Sequence, residues 1–178
     1  MSKKYELTKN GKTKSGSSEC FQVLWRSCNL CMFFFFALAA YVQINDPDAG
    51  IWMVAYSIPA SLCFLISLKP PITEVLIWRR LSDLHMLICA AVAAMLGWSL
   101  YKSKAENIFQ KEEGREFSGL LLIVVWLILC RHSGRNSVGA LRVSTAVGIT
   151  AFPLVTWLYY YINKELRSSW PSHCKTAL

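Results

Sequence analysis

Five long apolar runs, each free of charge through its middle, constrain this chain more than any other feature. They cover about Leu24–Val42, Ile51–Leu68, Leu84–Tyr101, Phe117–Cys130 and Val143–Ile162. A helix rises ~1.5 Å per residue and a bilayer core is ~30 Å thick, so about 20 apolar residues suffice to cross. The expected fold class is therefore all-α: a polytopic membrane bundle of five transmembrane helices. Composition agrees, since charged residues make up 17% of the chain, against roughly 25% in soluble domains. The fourth run is the exception in length. Its 14 residues would span only about 21 Å. It crosses only if the helix continues through Glu116 and Arg131, or if the bilayer thins locally.

The expected organisation has three parts. Residues 1–22 form a disordered Lys-rich tail, residues 23–164 the five-span bundle, and residues 165–178 a short C-terminal tail. Lys3, Lys4, Lys9, Lys12 and Lys14 lie in a segment with almost no large apolar residues, which cannot offset its ordering entropy. Such a tail helps to set topology and is attracted by anionic lipid. Ala37-Leu38-Ala39 has the form of a signal-peptidase site, but the long basic region and the further spans favour an uncleaved helix. Pro59 and Pro153 fall inside the second and fifth runs, where membrane helices tolerate proline and kink at it.

Orientation follows from the cations. With the N-terminus inside, the tail and even-numbered loops place twelve Lys and Arg on the cytoplasmic side and seven on the other. The positive-inside rule then favours a cytoplasmic N-terminus. Trp25, Trp52, Trp78, Trp98, Tyr101 and the Tyr159-Tyr160-Tyr161 trio sit near span ends, as interfacial aromatics do, whereas Trp126 is mid-span and reads as packing.

The net charge of +8 does not point to nucleic acid, because the cations lie in the tail and beside apolar runs rather than on one basic face with interleaved aromatics. The expected environment is the lipid bilayer, with a membrane-protein partner left open. Five of the seven cysteines lie inside apolar runs, where cysteine acts as a small hydrophobe. Cys28 and Cys31 form the one C-x-x-C, without the strand context of a thioredoxin or the histidine of a haem attachment site. Asp83 and His85 bracket the start of the third run and read as an interfacial polar pair. No spacing indicates a catalytic, metal or cofactor-binding set, so none is expected.

The polar residues that invite a functional reading fall on one membrane face. Asn45, Asp46 and Asp48 lie in the first loop, Glu113 and Glu116 before the fourth run, and Lys164, Arg167 and His173 beyond the fifth. Each acid also has a structural reading. Asp46 suits the N-cap of the second helix with Pro47 as its first residue, and Asp48 and the glutamates face helix dipoles. Glu116 stands apart, because a short span draws it to the membrane boundary, where an ionisable group is a functional candidate. A clasp between Glu116 or Asp48 and Arg167 is expected, since a guanidinium binds a carboxylate bidentately.

At Asn45-Asp46-Pro47-Asp48-Ala49, at Glu112-Glu113-Gly114-Arg115-Glu116 with Ser118-Gly119-Leu120, and along the tail from Tyr161-Ile162-Asn163-Lys164-Glu165 through Arg167-Ser168-Ser169-Trp170-Pro171 to His173-Cys174-Lys175, the chain resembles the vertebrate transmembrane protein 220 family. The resemblance covers about residues 24–178, and the Lys-rich tail departs from it. It implies a small multi-pass membrane protein without an established activity, and it carries over no catalytic residue. The expected function is a non-enzymatic accessory or ligand-binding membrane factor. A small-solute or ion transporter component is the first alternative, and a membrane thiol oxidoreductase using Cys28 and Cys31 the second.

Overall fold

The computed structural model describes residues 2–45, 48–102, 112–131 and 139–163. Helix α1 runs Ser2–Val42, α2 Ala49–Leu68, α3 Leu76–Lys102, α4 Glu112–Arg131 and α5 Ala140–Ile162. Short 3-10 turns occupy Gln43–Asn45 and Pro70–Glu74. The described residues contain no strand.

Each helix buries one stripe. On α1 the buried positions are Trp25, Cys28, Asn29, Met32, Phe36 and Ala40, spaced three and four apart as one helical face requires. They pack mainly on α2, which returns antiparallel, while α3 and α4 form a second closely packed pair and α5 lies against α1. The two pairs meet where Trp25 stacks on Trp126, with centroids 6.2 Å apart and planes 13° apart. Trp126 is fully buried and its indole N–H donates to Cys63 Sγ at 3.1 Å, so this mid-span tryptophan packs as its position suggested. The opposite stripes expose large apolar side chains, among them Leu87, Met95 and Phe152. So much exposed apolar surface is unfavourable in water and suits hydrocarbon.

Three helical segments are long and apolar enough to cross a membrane: Glu19–Val42, Ala49–Leu68 and Leu76–Lys102. Helix α4 has 20 residues and so reaches about 30 Å. It takes in both Glu116 and Arg131, but neither α4 nor α5 is among the three segments long and apolar enough to cross, so three of the five expected spans are shown.

Element ends differ from the expected ones for identifiable reasons. Helix α1 begins at Ser2 and so includes the Lys-rich segment; extending an existing helix needs no new nucleus. Helix α3 begins eight residues before the apolar run, because Trp78 and Ser82 continue its buried stripe past Arg79, Arg80 and Asp83. At α2, Asp48 rather than Asp46 occupies the N-cap position, and its carboxylate makes no capping bond to the backbone. Asp46 and Pro47 lie outside the described residues.

Candidate functional site

The end of the bundle formed by the start of α2, the end of α3 and the start of α4 carries Asp48, Glu113 and Glu116. Asp48 Oδ2 accepts a hydrogen bond from Trp52 Nε1 at 3.1 Å. One turn further, Trp52 meets Tyr56, with ring centroids 6.3 Å apart. The Tyr56 hydroxyl lies against Gly119 on α4, in the space a Cβ there would fill. Glycine is what allows α2 and α4 to approach so closely. Glu116, half-buried and one turn along α4, is close enough to act electrostatically on Tyr56, as is Cys89 on α3. Glu113 Oε2 accepts from Ser99 Oγ at 3.4 Å, which ties α4 to the end of α3. Of the three carboxylates, Glu113 bonds across helices, Asp48 bonds within α2, and Glu116 acts on Tyr56 through its field.

Of the residues singled out in the sequence, Asp48 bonds Trp52, Glu113 bonds Ser99, and Glu116 lies in electrostatic reach of Tyr56. Asn45 ends a 3-10 turn. Asp46, Lys164, Arg167 and His173 lie outside the described residues, and with them the Arg167 clasp.

Deeper in the bundle the polar contacts continue. His85 Nε2 lies 3.0 Å from the Ala55 carbonyl of α2, and Cys89 Sγ lies 3.4 Å from the same nitrogen. A carbonyl only accepts, so Nε2 carries the proton and donates. The sequence holds the reason for this bond. In a regular helix the Ala55 carbonyl would receive the N–H of residue 59, but residue 59 is proline and has none. His85 supplies the missing donor from α3. A proline four residues after a carbonyl marks such an orphan acceptor; what the sequence does not show is which side chain of another helix reaches it.

Asp83 and His85 do not act as a pair. Asp83 takes Arg131 of α4 bidentately, at 2.7 and 2.9 Å, while His85 reaches α2. Cys28 is buried and Cys31 exposed, and both are free thiols. Among the described residues no group of three or more His, Cys, Asp or Glu is placed to hold a metal ion.

A sequence model of the transmembrane family 220, described as helical, matches residues 35–132. Transmembrane protein 220 of Xenopus laevis is 53% identical over 157 residues, which covers 88% of this chain and 85% of that protein. The chain belongs to transmembrane family 220. The region matched by the family 220 model contains every contact from Asp48 to Arg131 described above, and it leaves out Trp25, Asn29 and α5. No solved structure matches the chain.

Proposed function

We propose that this family 220 chain is a five-span membrane protein with a cytoplasmic N-terminus, acting without catalysis as an accessory or ligand-binding factor through its acidic, non-cytoplasmic end. The observation that carries this reading is that Asp48 at the start of α2 bonds Trp52, while at the start of α4 Glu113 bonds Ser99 and Glu116 lies in electrostatic reach of Tyr56. Carboxylates beside aromatic rings at a membrane boundary suit a cationic or strongly polar group, which would meet charge and ring face together. Five crossings are supported by the full length of α4, and the orientation by the cations Arg26, Lys69, Arg79, Arg80, Arg131 and Arg142, which share the opposite end. The reading divides the chain into a tail at 1–22, which α1 carries as helix, a bundle at 23–164 and a C-terminal tail at 165–178.

The test is co-purification of the full chain in mild detergent, beside Asp48→Asn with Glu113→Gln. The reading expects a protein or small molecule that accompanies the native chain and is lost from the double variant while membrane insertion persists. Equal recovery with both would remove it.

A second reading, a transporter component, is favoured by one observation. The polar contacts do not stop at the boundary but run inward through Tyr56 and Cys89 to His85, and ionisable groups at such depth often line pathways. Substrate uptake into vesicles containing the purified protein would support this reading over the first.

A further inference from the structure

The end opposite the acids gathers cations around one turn. Arg26 of α1 donates from Nε to the Ser67 carbonyl at 2.7 Å and from an Nη to the Leu68 carbonyl at 3.4 Å. These are among the last carbonyls of α2, which have no partner within their helix. Arg79 of α3 donates from Nε to the Thr73 carbonyl at 3.1 Å. Two guanidiniums from different helices are thus anchored to the α2–α3 connection. Lys69 and Arg80, both exposed, flank it.

The nature of these anchors matters. A backbone carbonyl fixes a guanidinium without cancelling its charge. Arg131 at the same end is neutralised by Asp83. Arg26, Lys69, Arg79 and Arg80 make no ion pair with a described acid, and Glu74 is the single acid in the turn. Arg26 uses two of its three guanidinium nitrogens and Arg79 one, which leaves N–H donors of the kind that bind phosphate oxygens.

We infer that this corner is a binding site for the phosphate of an anionic phospholipid headgroup. It sits at the end of two membrane-length helices, at the depth where headgroups lie. Preformed, partly anchored guanidiniums lose less freedom on binding than free side chains do. The site is independent of the acidic end and of whatever binds there.

Native mass spectrometry of the full chain, purified in mild detergent and supplied with phosphatidylserine or phosphatidylcholine of identical acyl chains, tests the inference. Phosphatidylserine should be retained in preference. Lys69→Gln with Arg80→Gln, which change exposed side chains and leave the backbone bonds of the turn in place, should weaken its retention by about fivefold per cation, roughly 25-fold together. Arg79→Gln should weaken it as well. Lys102→Gln with Arg115→Gln, at the far end, should leave it unchanged. Equal retention of the two lipids, or equal losses in the two double variants, would overturn the site. Displacement of phosphatidylserine by millimolar inorganic phosphate would also overturn it, by showing a pocket for free phosphate.

Discussion

Replacing His85 with leucine isolates one interaction whose origin lies in the covalent structure. Pro59 removes the donor that the Ala55 carbonyl would otherwise meet, and His85 Nε2 replaces it at 3.0 Å. A buried polar group left without a partner costs about 1–3 kcal/mol. Interhelical hydrogen bonds measured inside membranes average nearer 0.6 kcal/mol and reach about 1.7. The upper part of that range applies here, because the His85 side chain is buried and the acceptor cannot turn elsewhere. His85→Leu should therefore lower stability by roughly 1–2 kcal/mol. The decisive comparison is the same change made in a Pro59→Ala background. Alanine restores the N–H, so the Ala55 carbonyl is satisfied within α2 and His85 becomes dispensable there. The loss should then fall below about 0.5 kcal/mol, with coupling of roughly 1 kcal/mol. The cycle cancels the packing that each residue loses alone. Denaturant titration in mixed detergent micelles, followed by circular dichroism, measures all four proteins. His85→Gln, which keeps an N–H donor, should recover part of the loss. Equal losses in the two backgrounds would show that His85 is held by packing and that the proline has nothing to do with it.

Gly119→Ala should destabilise by about 1–3 kcal/mol, since the new methyl meets the Tyr56 hydroxyl; Tyr56→Phe should recover most of this in the same titration. Asp83→Ala should cost no more than about 1 kcal/mol, because both partners of the Arg131 pair are about a third exposed, at 30% and 35%, and exchanging the two charges should restore it. Arg167→Ala should lower abundance while Lys175→Ala does not, as the proposed clasp to Glu116 or Asp48 requires; equal abundance would reduce those acids to helix-terminal groups.

The helices were legible because apolar runs near membrane length leave little choice of structure, and the buried stripe from Trp25 to Ala40 follows from helical spacing alone. Helix α3 was read short because Arg79, Arg80 and Asp83 interrupt its hydrophobicity, although Asp83 is accommodated by Arg131, 48 residues away in sequence. The same limit applies at the acidic end. Asp48 and Glu116 could be singled out by charge and position, but Tyr56 could not, since a tyrosine in an apolar run gives no sign that its hydroxyl reaches a glycine on another helix. Asp48 sits at the start of α2 as the local rule expects, but that rule gives no sign of its bond to the Trp52 indole. Gly119 and Pro59 were the two available signals, one for a close helix approach and the other for an orphan carbonyl.

Five crossings are the claim on which the opposed basic and acidic ends depend, and the placement of the two termini tests it most directly. With an epitope tag at each end and sealed vesicles of known orientation, protease should reach the N-terminal tag from the cytoplasmic side and the C-terminal tag only from the other. Both tags digested from the same side would contradict an odd number of crossings and would leave α4 or α5 within one face of the membrane.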